Sequence, residues 1–232
     1  MPDPKPTDSP RAAAPRRTRR DGPAAPLTRE RIVQTALALV DRAGPQALSM
    51  RRLGTALGVD PMAVYHHLPN KEALLDAIVE AVMGGIDLGA DRPEDPPEER
   101  IMVAARAYRE AMLGHGRALP IVLARGPATL VALRPVELLL GILRSAGLTP
   151  EQALAGMNAI AAAVRGVAGM AASARPGTHR SDAAALLAAL PAEAFPHLRE
   201  ALLGAGDDFE RDFEFGIRAL ARGLLAAAPP ER

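Results

Sequence analysis

Residues 48–76 read LSMRRLGTALGVDPMAVYHHLPNKEALLD, and the starts and stops within this stretch decide the fold. Ser49 is a helix N-cap, with Leu48 and Leu53 placed as a hydrophobic staple around it and Met50, Leu53 and Leu57 forming an apolar stripe. Gly58 stops that helix, because glycine enters the left-handed C-cap conformation without a Cβ penalty. Two residues later Asp60 caps another helix with Pro61 at its first position, where the missing N–H costs nothing and the fixed φ is already helical. The spacing predicts that this helix lasts to about Leu68. Asn70 caps the next, whose stripe Leu74, Leu75, Ile78, Val79 and Val82 points to burial against other helices. Upstream, Thr28 caps a helix running to about Ala43, with Leu27 and Ile32 as its staple, Ile32, Val33, Ala36, Leu37 and Val40 on one face, and Gly44-Pro45 as its end.

Two short helices joined across a glycine have the geometry of a helix-turn-helix, whose second helix enters the ~12 Å wide major groove of DNA. Such pairs also occur throughout α proteins, so spacing alone leaves the choice open. Charge adds to the case. Up to Asn70 the chain carries 11 basic and 6 acidic residues, a net +5, while the remainder, with 17 and 21, carries −4. A basic first third joined to a mildly acidic remainder suggests that the N-terminal part meets a polyanion.

Composition removes several alternatives. Among the 232 residues there is no cysteine, which excludes disulfides, thiolate zinc sites and thiol nucleophiles. Aromatic residues make up 3% with no Trp, which weakens any case for a sugar site or base-stacking platform. No glycine-rich phosphate loop follows a strand, and no nucleophile–base pair recurs on a helix face, so an enzyme using His115 or His179 is disfavoured. Adjacent His66 and His67 point in different directions on a helix with no carboxylate at ligand spacing; neither a metal nor a cofactor is expected. Residues 1–26 lack the apolar core of a secretory signal and read as a disordered basic arm, which predicts a cytoplasmic protein. Its cluster Arg16, Arg17, Arg19 and Arg20 reads either as a minor-groove arm or as a basic tail without a defined contact. The longest apolar run, Ala153 to Ala174, is mostly Ala and Gly and carries Asn158 and Arg165; it reads as a buried helix, with no membrane involved.

Beyond an acid- and proline-rich connector from Asp87 to Pro97, helices are expected near 98–114, 118–124, 128–146, 150–174, 182–190 and 207–227, with weak signals around 193–204. Thr149-Pro150-Glu151-Gln152 is a capping box. No segment shows the alternation of a strand, so the fold is expected to be all-α.

The stretch from Thr28 to Ile78, with Gly58-Val59, Tyr65-His-His-Leu68 and Asn70-Lys-Glu-Ala-Leu74 in register, resembles the DNA-binding domain of the TetR family of transcriptional regulators. Asp208 to Leu224 resembles the final helix of the tetracycline-repressor-like C-terminal domain. This resemblance implies a helix-turn-helix DNA-binding domain over 27–72 and a helical effector-binding and dimerisation domain over 73–232. It implies a ligand-responsive dimeric regulator, a repressor released from a palindromic double-stranded DNA operator. The alternative is a DNA-binding regulator whose pocket is vestigial or controlled by a partner protein.

Within the motif, Arg51 can donate two hydrogen bonds to guanine O6 and N7, and the resemblance implies a base-reading arginine there; otherwise it is a solvated surface charge. Pro61, Met62 and Ala63 lack side-chain donors and would read thymine methyls, with packing the alternative for Met62. His66 and His67 suit base-edge or phosphate hydrogen bonds, His66 being assigned to bases and His67 to phosphate. Tyr65 and Lys71 fall where the family touches phosphate, and Thr28 and Ser49 would add helix N-terminal amides.

A short helix-turn-helix gains affinity by pairing, so a homodimer is expected. Phe209, Phe213, Ile217, Leu220 and Leu224 form one stripe, and Ala155, Ala159, Ala163, Gly166 and Gly169 form a second that admits another backbone. The resemblance implies a four-helix interface from both; alternatively each stripe is the monomer's own core. Met102, Arg106, His115, Val122, Arg125, Met157 and Asn158 interrupt packed faces and are the candidates for an effector pocket, each also readable as structural. The metal-binding histidine of tetracycline-binding members aligns with Val122, which speaks against magnesium–tetracycline. Flexible Met with little aromatic surface suggests a small apolar or amphipathic effector.

Overall fold

The Thr28 hydroxyl accepts a hydrogen bond from the Arg31 N–H at 3.2 Å and starts α1 (Arg29–Ala43), which ends at Gly44 with φ 78°. A 3₁₀ turn at Pro45–Ala47 leads to Ser49, whose hydroxyl accepts from Arg52 N–H at 3.2 Å to open α2 (Met50–Leu57). Gly58 closes α2 in the left-handed conformation, φ 71° and ψ 29°. The Asp60 carboxylate accepts from Met62 N–H at 2.8 Å and α3 covers only Pro61–Tyr65, shorter than the expected run to Leu68. His67 and Leu68 N–H both donate to the Val64 carbonyl at 3.0 Å, so the helix closes in a turn ahead of Pro69. Asn70 caps α4 (Lys71–Gly84) through Ala73 N–H at 2.8 Å.

The computed structural model describes residues 26–173, 185–191, 193–204 and 209–228. The arm over 1–25 with its cluster Arg16, Arg17, Arg19 and Arg20, Ala174, His179 and the expected helix starts near 182 and 207 lie outside the described residues. The body comprises α5 (Pro97–Gly114), a 3₁₀ turn (Gly116–Ala118), α6 (Leu119–Arg125), α7 (Leu130–Ser145), α8 (Pro150–Ser173), α9 (Pro196–Gly204) and α10 (Phe209–Ala226). Residues 185–189 are also helical, and among the described residues there is no strand. The fold is all-α.

Two apolar clusters hold it together. One starts with Ile32, Leu37, Leu53, Val64 and Leu74 in the first four helices and continues without a gap into Met112, Leu119, Val122 and Ala132. The division expected at 72/73 therefore falls within the first turn of α4, which packs on α1 and also on α5, α6 and α7. The second cluster joins α5, α7, α8 and α10 through Ile101, Leu143, Ile160, Phe213 and Ile217. Opposite-charge pairs along its rim clamp α5 to α10: Arg106 to Glu214 at 2.5 and 2.6 Å, Arg109 to Glu210 and Arg218 to Glu98 at 2.9 Å. The capping box at α8 is reciprocal, with Gln152 N–H on the Thr149 hydroxyl at 3.3 Å and Thr149 N–H on the Gln152 side chain at 2.8 Å. Helix α8 is long and apolar enough to cross a bilayer, and in the fold it packs against α5, α7 and α10.

Candidate nucleic-acid interface and ligand cavity

Val64, fully buried, anchors α3 inward and turns its opposite side to solvent. There Met62 is 63% exposed and Tyr65 39%; His66 and His67 are exposed, and Pro61 and Ala63 half-exposed. On α2, Leu53 and Leu57 point to the core while Arg51 and Arg52 face outward. Arg52 donates to the Ala47 carbonyl at 3.4 Å. The Arg51 guanidinium has no partner among the described residues, which leaves it available to an external acceptor. Thr28 and Ser49 use their hydroxyl oxygens as cap acceptors, so each keeps an O–H to donate outward. Lys71 is exposed at the first position of α4. These ten residues all lie on α1 to α4, their caps or the turn after α3.

In the α2–α3 unit, the sequence alone did not point to Gly54. A Cβ at Gly54 would meet the Val59 carbonyl oxygen at 3.0 Å and the Pro61 nitrogen at 3.1 Å. The turn between α2 and α3 closes directly over this glycine, and Val59 N–H donates back to the Gly54 carbonyl at 3.0 Å. A glycine inside a helix whose other residues form a clean stripe was the available signal.

Besides the shared apolar cluster, polar contacts join α1 to the turn after α5. Asp41 pairs with His115 Nδ1 at 2.9 Å and Arg117 donates to the Arg42 carbonyl. The second Asp41 oxygen is buried with no partner among the described residues.

A cavity of about 180 Å³ opens between α4, α5, α7 and α8, with the α6–α7 connector at its edge. The axes flanking that connector are bent by 83°. Of the seven expected lining residues, Val122, Met157 and Asn158 are there. The other four are placed elsewhere. Met102 is fully buried in the second core cluster, and Arg106 is held by Glu214. His115 is held by Asp41, and Arg125 by Glu72 at 2.5 Å and Asp76 at 2.6 Å on α4. Each polar one found a carboxylate on another helix, a pairing that spacing along one helix does not reveal. Lining residues not anticipated include Tyr108, Pro135 and Arg165. Pro135, inside α7, removes a helical N–H just where the wall is needed. Among the described residues no cluster of three or more His, Asp or Glu is arranged to hold a metal.

The two stripes considered for an interface divide. On α10, Phe213 and Ile217 are buried in the monomer's own core, and Leu220 and Leu224, partly buried, pack against the same cluster. Phe209 is half-buried at the start of the helix. Leu224 lies over Gly156 of α8, where a Cβ would meet it at 3.2 Å. Phe213 and Ile217 are thus corrected from interface to monomer core, while Phe209, Leu220 and Leu224 stay partly exposed and the helix also turns Phe215, 76% exposed, to the outside. On α8, Ala155, Ala159 and Gly166 are exposed and Ala163 half-buried, with Leu154 and Met170 exposed beside them.

Residues 32–78 match the family model for bacterial regulatory proteins of the tetR family, and residues 91–228 match the tetracyclin repressor-like C-terminal domain. The chain belongs to the TetR family. Its similarity to the class C tetracycline repressor of Escherichia coli, 38% identity over 91 residues, spans 38% of this chain and 41% of that protein. An HTH-type transcriptional regulator of Saccharopolyspora erythraea is 28% identical over 204 residues, covering 87% of this chain and 86% of the relative. Among solved structures, apo ActR from Streptomyces coelicolor aligns with a TM-score of 0.77 at 32% identity, over 88% of this chain and 97% of that one. ActR in complex with actinorhodin gives the same TM-score. TetR family proteins are DNA-binding transcriptional regulators that dimerise and bind small-molecule ligands.

Proposed function

We propose that this chain is a repressor that binds an inverted-repeat operator as a homodimer and leaves it when a small apolar or amphipathic effector fills the cavity. The observation that carries this reading is the double attachment of α6. Val122 on that helix lines the cavity, and Arg125, one turn on, is paired with Glu72 and Asp76 of α4. Helix α4 carries Lys71 beside the DNA-facing surface and Met83 in the cavity wall. A ligand that prefers one position of α6 therefore prefers one position of the reading head, and linkage requires DNA to disfavour that ligand by the same factor. The complexes of ActR with actinorhodin and (S)-DNPA support a small-molecule ligand. Arg51, Pro61, Met62, Ala63 and His66 read bases, while Thr28, Ser49, Tyr65, His67 and Lys71 hold phosphates. The outward faces of α8 and α10, at Ala155, Ala159, Gly166 and Phe215, meet their copies, and the protein works in the cytoplasm where its operator is.

The test is footprinting on the DNA upstream of the gene, with purified protein over a salt series. Protection of two half-sites about one helical turn apart, lost steeply as salt rises, is the expected result. Binding without sequence preference, or to a single half-site as a monomer, would overturn the reading.

A further inference from the structure

The effector reading leaves the chemistry of the effector open, and the cavity wall narrows it. The lining is apolar on most sides, and no Asp or Glu contributes to it among the described residues. Three polar side chains reach it: Tyr108 from α5, and Asn158 and Arg165 from α8. Arg165 stands about two turns beyond Asn158, so both occupy one face of the helix. Its Nη1 donates to the Tyr108 hydroxyl at 3.3 Å.

A hydroxyl carries no charge to set against a guanidinium. Half-buried arginines elsewhere on α5 and α10 each have a carboxylate: Arg100 has Asp91 at 2.9 Å, Arg106 has Glu214 at 2.5 Å, and Arg218 has Glu98 at 2.9 Å, while half-buried Arg199 on α9 donates to two backbone carbonyls, those of Leu187 and Leu190. Among the described residues no carboxylate comes within ion-pair distance of Arg165, the one charged residue lining the cavity. A cation drawn partly out of water into an apolar wall is unfavourable unless an anion joins it. Its fork of N–H donors matches a carboxylate, and the bond to Tyr108 occupies only part of that fork.

We infer, resting on the effector reading above, that the cavity takes an amphipathic organic anion: a compact apolar body of one or two rings bearing one carboxylate. Arg165 receives the charge, the Tyr108 hydroxyl steadies the guanidinium, and the Asn158 amide hydrogen-bonds a second polar atom of the ligand. The size follows from the volume, about 180 Å³, roughly the space of six waters and below the ~300 Å³ at which pockets for drug-sized ligands begin.

The test uses 2-naphthoate and 2-naphthamide, which share the two-ring body and differ in charge, titrated calorimetrically into the full chain at neutral pH. The expected result is at least tenfold tighter binding of the naphthoate. That ratio falls to about one in Arg165→Gln and survives in part in Arg165→Lys, while naphthamide binds Arg165→Gln as it binds the unaltered chain, which reports an intact cavity. Equal affinity for the pair, or a naphthoate preference that persists in Arg165→Gln, overturns the anion assignment and leaves the effector cavity standing. Binding of neither probe to the unaltered chain overturns both.

Discussion

In the reading head, each of the four helices starts on a side chain close at hand: Thr28, Ser49, Asp60 and Asn70 accept from N–H groups two or three residues on. In the body, α7 and α8 start on Thr129 and Thr149, but α5 and α6, which also help wall the cavity, start with no side-chain cap. They are positioned instead by partners far along the chain, as when Arg106 reaches Glu214 and Arg125 reaches Glu72 and Asp76. The head is thus a set of locally determined angles, suited to presenting a fixed surface to a regular polymer. The body is a set of mutual arrangements, which a ligand inserted among them can change.

The largest expected effect tests whether the body hangs on its long-range core. Phe213→Ala removes a ring that is 1% exposed and touched by Arg109 at 4.9 Å from its centroid. Urea unfolding is expected to show a loss of about 3–5 kcal/mol; a loss under about 1 kcal/mol would mean that α10 is not anchored by its inner face. Next, Gly54→Ala presses a methyl group on two backbone atoms that cannot swing away. A destabilisation of about 1–3 kcal/mol with at least tenfold weaker operator binding is expected, while ligand titration of the cavity stays unchanged. Loss of ligand binding as well would break the contrast between the two regions.

Smaller effects sharpen the contrast within the head. Arg51→Ala should weaken binding by about 1–3 kcal/mol and relax preference at one base position, whereas Lys71→Ala should weaken all sequences alike and lower the salt slope by about one. Equal losses with preference unchanged in both would reassign Arg51 to phosphate. The smallest effect concerns acid. Hydrogen bonds from Arg100 hold the Asp91 carboxyl below its ordinary value, and hydrogen bonds from Arg106 do the same for Glu214. Carboxyls depressed on folding stabilise the protein above their ordinary values of 3.8 and 4.5. That contribution is lost as pH falls through the lower folded-state values. The double variant Asp91→Asn, Glu214→Gln should therefore show a flatter fall in urea midpoint between about pH 5 and 3. An unchanged slope would place the acid sensitivity outside these pairs.

How much was legible follows the same division. Caps, staples and glycine stops act over a few residues, so the starts of α1 to α4 and the Thr149 capping box could be read from single positions. An apolar stripe is legible too, but it shows only that a face is covered, not by what. Phe213 and Ile217 were as consistent with a second copy as with α5 and α8, and only the assembled helices distinguish these. Arg106, His115 and Arg125 looked like pocket residues because polar groups on apolar faces need a reason. The reason was a carboxylate lying 108, 74 or about 50 residues away. Arg165 stood out in the sequence as a charge within an Ala- and Gly-rich run, yet its place in the wall beside Tyr108 depends on how α5 and α8 meet.

The glycine under the turn of the reading head has one more consequence. Since main-chain atoms set the pitch of α3 against α2, and Val64 alone roots the helix from beneath, the outer side chains take no part in holding it at that pitch. Met62 and His66, the proposed base readers on that side, are then interchangeable type in a permanent frame, and on that proposal retargeting the protein to a new site calls for resetting those letters while the press stays as it is.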